Sequence, residues 1–220
     1  GGDDGPTGPP AATSPSWFTA GAEEGDPEVS AAAGACAPFY DAIGAGSYSV
    51  QRCGVWNAVG GQRMWTLTKG ASANSRFFVI VWQQSAPNVW RPVLRAVEEA
   101  AGQWADATVR TGNIDSGAND ELVVGFRTAG TGGYLDMEIV DIRSGSPRVV
   151  AVFPGAAKGA AVLVPGGGVD VWSAVYGTGE PVCCPSVFQQ YQILPSPGGW
   201  IVVEGVGANT GDALIPSSQF

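Results

Sequence analysis

The chain has 220 residues, a formal net charge of −9, a pI of about 4.3 and no histidine. Because it is acidic and has no basic stripe, nucleic acid and anionic membrane surfaces are excluded as expected partners. The lack of histidine excludes Ser-His-Asp and Cys-His nucleophile pairs, and no phosphate-binding or dinucleotide-binding glycine motif is present, so we expect a protein that is not an enzyme.

The first thirty residues are predicted to form a flexible tether. The stretch "GGDDGPTGPPAATSPSW" is small, acidic and rich in proline, so it has little to bury in a core. It begins at Gly1 without a methionine, which is typical of a chain from which an export signal has been removed. Trp17 and Phe18 are an apolar pair within this polar stretch, and we predict that they dock on a partner or on the protein's own domain.

The remainder of the chain predicts strands and few helices. The sequence has 33 glycines and 16 prolines, and helical patterns occur only within 28–46 and at 97–105. Short apolar runs separated by turn signals predict a mainly β domain over 31–210, either an antiparallel meander or sandwich or part of a propeller, followed by a C-terminal tail at 211–220. The predicted strands are 47–56, 62–68, 76–83, 88–96, 105–111, 121–127, 134–143, 148–153, 160–164, 169–176, 187–194 and 199–206.

The segment "GNIDSGANDELVVG" at 112–125 resembles the calcium loop of FG-GAP and related propeller repeats. That resemblance places the ligand positions at Asn113, Asp115, Gly117 and Glu121, with help from waters and Asp120. The central acid of the motif is missing, and Ala118 stands where its turn glycine is expected. We therefore expect the turn to persist and to bind Ca²⁺ weakly or not at all, with no other cofactor.

Acidic and aromatic side chains provide two further candidates for chemistry. Acids at alternate strand positions could form a glycosidase pair, but such alternation is more typical of a solvated strand face. Tryptophans beside polar residues or glycine are predicted to be exposed, where they could stack on sugars. The acids are Asp115, Asp120, Glu121, Asp136, Glu138 and Asp141, and the tryptophans are Trp17, Trp56, Trp65 and Trp104.

The four cysteines, Cys36, Cys53, Cys183 and Cys184, are predicted to form structural disulfides. They lack the paired spacing of a zinc site and the C-x-x-C of a thiol oxidoreductase. Local pairing would join Cys36 to Cys53 and Cys183 to Cys184. The crossed alternative would connect the N-terminal helix to the 183–184 loop.

Residues 75–206 resemble exported actinobacterial proteins, including cell-envelope lipoproteins of the LppP/LprE kind. The resemblance rests on "GNIDSGANDELVVGFRTAGTGGYLDMEIVDI", "DVWSAVYGTGEPVCCPSVFQQYQI" and "GGWIVVE", and its most specific part is the run Glu180-Pro181 to Cys183-Cys184-Pro185-Ser186. It implies an extracytoplasmic location, with a lipid anchor on a cysteine just before the mature chain. It implies no particular activity.

We therefore expect a non-catalytic accessory or binding protein of the cell envelope that docks a protein partner and meets the membrane only through a lipid anchor. One alternative is a structural subunit that self-assembles, pairing its N-terminal tail with neighbouring copies. Another is a carbohydrate-binding or carbohydrate-acting protein that uses the tryptophans and strand acids.

Overall fold

The computed structural model describes residues 18–20, 28–43, 48–70, 77–97, 104–130, 132–141, 146–209 and 217–220. These residues form three antiparallel sheets and one helix, α1 (Ala37–Ala42), which confirms the predicted mainly β fold. None of the described residues belong to a helix long and apolar enough to cross a membrane.

In sheets B and C, and among the four longest strands of sheet A, strands that are adjacent in sequence also pair in space. Sheet A contains β1 (Phe18–Ala20), β2 (Val29–Ser30), β3 (Tyr48–Ala58), β4 (Gly61–Gly70), β5 (Phe77–Ala86) and β6 (Val89–Val97). Sheet B contains β7 (Trp104–Gly112), β8 (Glu121–Thr128), β9 (Leu135–Asp141) and β10 (Arg148–Ala156). Sheet C contains β11 (Ala160–Val164), β12 (Gly168–Val175), β13 (Val187–Ser196) and β14 (Gly199–Asn209).

Every predicted strand corresponds to one of β3 to β14, whereas β1 and β2 were not predicted. Both pair antiparallel with β6, Phe18 with Ala96 and Val29 with Trp90. Parts of the predicted tether therefore belong to sheet A. A second helix was predicted at 97–105. Residue 97 ends β6 and residues 104 and 105 begin β7, while residues 98–103 lie outside the described residues.

Sheet B lies between the other two sheets. Alternate residues of β9 pack on opposite sides: Val140 belongs to the core shared with sheet A, whereas Met137 and Ile139 belong to the core shared with sheet C. All seven residues of β9, "LDMEIVD", are buried as a result. A sheet covered on both faces has no solvated side on which polar residues could alternate.

Residues 29–43 cover the outer face of sheet A. The Phe39 and Trp82 rings lie 4.8 Å apart, and the indole N–H of Trp90 donates a 2.9 Å hydrogen bond to the carbonyl of Ala31. A disulfide joins Cys36 to Cys53 with a Cα–Cα distance of 5.7 Å. We call this cover the sheet A cap.

Two tryptophans predicted to be exposed are buried: Trp56 is 0% and Trp65 is 9% exposed. The prediction was wrong because a neighbouring glycine was interpreted as a sign of a solvated strand. Gly54 instead leaves room for the Trp65 ring, since a Cβ at Gly54 would lie 2.8 Å from that indole. The side chain of Trp104 and the whole of Trp17 lie outside the described residues.

Candidate functional site

The loop between β7 and β8 uses its polar groups to hold its own turn. The side-chain amide of Asn113 donates to the carbonyl of Gly117 over 2.6 Å, and the N–H of Gly117 donates to Asp115 Oδ1 over 2.6 Å. The N–H of Ile114 donates to Glu121 Oε2 over 2.9 Å. These contacts are ordinary turn chemistry, in which short polar side chains satisfy nearby backbone groups.

The same loop is fastened to the turn between β3 and β4. The indole N–H of Trp56 donates to the carbonyl of Asp120, and the N–H of Val59 donates to Asn119 Oδ1. The loop therefore connects sheet B to sheet A. This gives the loop a structural role that does not need an ion.

Two of the predicted calcium ligands interact with each other. Among Asn113, Asp115, Asp120 and Glu121, the carboxyl groups of Asp115 and Glu121 lie close together. Burial raises the pKa of Glu121 to about 7, and the charges of Asp115 and Asp141 add to this, while the N–H of Ile114 opposes it. Within the described ranges, no group of three or more His, Cys, Asp or Glu side chains is arranged to hold a metal. This donor set does not fit Ca²⁺, which takes six or more oxygens.

The acids of β9 are buried, so the prediction of a solvated strand face was wrong. Asp136 is 8% and Glu138 is 0% exposed, because both face sheet A from the middle layer. Asp136 accepts a hydrogen bond from the N–H of Gly155, whereas neither oxygen of Glu138 has a hydrogen-bond partner in the described part of the chain.

Burial also changes the protonation of this pair. Burial raises the pKa of Asp136, although the hydrogen bond from the N–H of Gly155 acts in the opposite direction. Burial raises the pKa of Glu138 to about 9, and the charge of Asp136 raises it further. Glu138 is therefore a neutral carboxylic acid at pH 7. Because Asp136 and Glu138 are packed between two sheets, a sugar cannot reach them. Trp56 and Trp65 are buried as well, so these four residues are not available to bind or cleave a carbohydrate.

Cys183 and Cys184 lie in the loop between β12 and β13 and are exposed free thiols, with their Sγ atoms 2.7 Å apart. The Glu180 carboxylate holds this loop by accepting hydrogen bonds from the N–H groups of Gly177 and Ser186, and these donors lower its pKa. The predicted Cys36–Cys53 pairing is present, whereas a bond between Cys183 and Cys184 stays a prediction.

The outer face of sheet C is apolar and only partly covered: at one end Trp172 packs with the buried Ala157, Ala174 and Phe188, and at the other end apolar side chains are exposed. Val169, Val171 and Ile193 point toward sheet B, so their sequence neighbours point outward. Two of the outward residues, Ile201 and Val203, are 48% and 39% exposed. A 2.9 Å hydrogen bond from Gln192 to Asp170 crosses the same face. We call this surface the outer C face, and its apolar members are Val162, Val164, Trp172, Leu194, Ile201 and Val203.

Comparison of the chain with protein-family models, curated proteins and solved structures gives no match. Of the predicted docking pair, Phe18 begins β1, and Trp17 lies outside the described residues. The outer C face was not among the predicted sites. The alternation in "VDVWSAVY", which places Trp172 opposite a valine face, is the sequence signal from which it could have been inferred.

Proposed function

We propose that the protein is a non-catalytic accessory or binding protein of the cell envelope that docks a protein partner on the outer C face. The observation that carries the proposal is the exposure of Ile201 and Val203 on that face, where Ile201 pairs with Leu194 and Val203 pairs with Gln192. Contiguous apolar side chains with a polar rim are typical of protein interfaces, where buried aromatic and aliphatic anchors supply most of the affinity.

The location outside the cytoplasm rests on two supports. Residues 75–206 resemble exported envelope lipoproteins, and Cys36 and Cys53 form a disulfide. Structural disulfides persist in oxidising compartments and are rare in the cytosol. A partner should then be another exported or membrane-anchored protein.

The polar pair on the outer C face suggests how a partner is oriented. Asp170 and Gln192 lie beside Val203, so an arginine or lysine of the partner could pair with Asp170 while apolar side chains cover the valine. The net charge of −9 also favours a basic partner surface through long-range attraction.

The substitution Ile201→Asp tests the proposal, because it places a charge on one of the two exposed apolar side chains of that face. Val59→Asp is the matched control, since Val59 is 65% exposed in the β3–β4 turn, away from sheet C. Cross-linking in the native envelope should yield a partner in stoichiometric amount. The purified partner should then bind the unaltered chain and the Val59→Asp variant with equal affinity. We expect the Ile201→Asp variant to bind the partner at least ~10-fold more weakly than the unaltered chain, because one anchor residue of the interface is lost.

Both variants should unfold within about 0.5 kcal/mol of the unaltered chain, since both sites are on the surface. Equal binding by both variants would remove the outer C face from the interface. A cross-linked product consisting only of further copies of this chain would instead favour the self-assembling structural subunit.

A further inference from the structure

Residues 217–220 lie along the free edge of β11, the outermost strand of sheet C. The N–H of Gln219 donates to the carbonyl of Ala161 over 2.9 Å, and the N–H of Ala161 donates to Ser218 Oγ over 3.2 Å. The N–H of Leu163 donates to Gln219 Oε1 over 2.9 Å. Main-chain pairing of this kind, with side chains completing it, is how an extended peptide adds to a sheet edge.

Two arginines of sheet B hold the other side of the segment. Arg110 donates through Nε to the carbonyl of Gln219 over 3.1 Å, and Arg127 donates to the carbonyl of Phe220 over 2.8 Å. Arg127 also donates to the carbonyl of Gly159 over 2.9 Å, which fixes its position. Both arginines contact the backbone of the segment, so they do not depend on its side chains.

The Phe220 ring has a specific seat on β8. A Cβ at Gly125 would lie 2.9 Å from Phe220 Cδ1 and 3.2 Å from Leu135 Cδ1, so the ring fits because position 125 has no side chain. The ring also packs against the core between sheets B and C. The space above Gly125 therefore accommodates an aromatic ring.

A cavity of about 570 Å³ adjoins Gln219. It is bounded by the end of β7 on one side and by the end of β11 on the other. Its size is within the usual range for ligand pockets. Its described lining carries one charged side chain, the cation of Arg110, so an acidic ligand group is favoured. The described lining residues are Arg110, Thr111, Gly112, Asn113, Ile114, Leu163, Pro165 and Gln219.

We propose that this β11 groove is a peptide-binding site for an extended, acidic segment of a partner protein. The partner's aromatic residue occupies the seat at Gly125, its backbone pairs with Ala161, and its acidic residue lies near Arg110. Residues 217–220 are the chain's own occupant, which the partner segment displaces. The site goes beyond the proposed function, because it lies at the sheet edge and shares no residue with the outer C face.

A titration with labelled peptides tests this proposal. The probes are fluorescein-labelled, amidated Glu-Ser-Ser-Gln-Phe, the same peptide with Lys for Glu, and the same peptide with Ala for Phe. They are titrated into the unaltered chain and into Phe220→Ala, which weakens the chain's own occupant. A tethered segment competes at an effective concentration on the order of 1 mM, so we expect Phe220→Ala to bind the first peptide at least ~10-fold more tightly than the unaltered chain.

The control peptides and a control variant define the contacts. The Lys peptide should bind more weakly than the Glu peptide, and the Ala peptide should not bind. Ile201→Asp should leave peptide binding unchanged, so failure of the groove and failure of the outer C face give different results. No binding of any peptide to a cooperatively folded Phe220→Ala would overturn the proposal and leave residues 217–220 as a fixed closing segment.

Hydrogen exchange on the unaltered chain gives a readout that needs no substitution. If the segment can leave the groove, the amides of Ala161 and Leu163 exchange faster than those of the central strand β12, and the Glu peptide slows them. Exchange of both amides at the rate of global unfolding, with no change on adding peptide, would contradict displacement.

Discussion

Sheets A and C are the two outer layers of one stack, yet their outer faces differ. On sheet A the cap buries Phe39, Trp82 and Trp90 completely, and the Cys36–Cys53 disulfide attaches it to β3. On sheet C, Ile201 and Val203 remain exposed. The meander itself therefore does not require a cover like the sheet A cap, which closes the outer face of sheet A with a disulfide and the Phe39 ring.

The inner faces differ as well. On β9, Asp136 and Glu138 face sheet A, whereas Leu135, Met137, Ile139 and the buried Asp141 face sheet C. The A–B side of β9 therefore carries two buried acids, and the B–C side carries one at the end of the strand, where its charge acts on Glu121. Stability on the two sides of sheet B should respond differently to truncation, reduction and pH.

Truncating a tryptophan on each outer face should have the largest effect on stability. Trp82→Ala should lower the free energy of unfolding by about 3–5 kcal/mol, since a fully buried ring is lost and its hydrogen bond to Thr66 is broken. Trp172→Ala, on the half-buried outer C face, should cost about 1–2 kcal/mol. Guanidinium denaturation measures the free energy of unfolding of both variants. Equal losses would mean that the two tryptophans are equally buried.

Removing the disulfide should have the next largest effect. Cys36→Ser with Cys53→Ser should lower the free energy of unfolding by about 3 kcal/mol, because the bond restricts the unfolded chain over a separation of 17 residues. The matched double variant Cys183→Ser with Cys184→Ser changes only exposed thiols and should stay within about 0.5 kcal/mol. Thermal unfolding without reductant compares the two variants. A comparable loss of stability in the second variant would show that Cys183 and Cys184 also form a stabilising disulfide.

The buried carboxyl should give a smaller, pH-dependent effect. The pKa of Glu138 is raised from 4.5 to about 9, so the folded state holds its proton more tightly than the unfolded state. The contribution of Glu138 to the free energy of unfolding should therefore be greatest below pH 4.5 and fall as the pH rises toward about 9. Glu138→Gln should remove this fall and stabilise the protein at pH 8 by about 1–3 kcal/mol.

Glu121→Gln is the control for that measurement. Because the pKa of Glu121 is raised only to about 7, its effect on the slope should be complete near that pH. Denaturation curves between pH 7 and 9 should therefore flatten for Glu138→Gln and not for Glu121→Gln. An unchanged slope in Glu138→Gln would mean that water reaches this carboxyl.

The strands were predictable because their signals are local. Turn residues and apolar runs delimit β3 to β14 in the sequence, whereas β1 and β2 have three and two residues and are too short to show a period. The layering was not predictable, because it depends on contacts between distant strands. Glu138 has the alternation of a solvated strand, and only the packing of sheet A over sheet B reveals that it is buried.

The candidate sites also divide into those with a local sequence signal and those that depend on contacts between distant residues. The Cys36–Cys53 pairing was one of the two pairings predicted from the positions of the cysteines in the sequence. The β11 groove could not be predicted in this way, since it joins Gly125, Arg110 and Gln219 from three separate parts of the chain. A single sequence does not indicate that a glycine in β8 is the seat of a phenylalanine almost a hundred positions away.

The central position of sheet B also bears on how the chain folds. Each meander follows its neighbour in sequence, so sheets A and B can associate through contacts that are relatively short-range in the chain. At that stage Leu135, Met137 and Ile139 would still face water, and only the arrival of sheet C covers them. If sheets A and B associate first, these three side chains form an exposed apolar surface until sheet C covers them, and such surfaces make folding chains prone to aggregation.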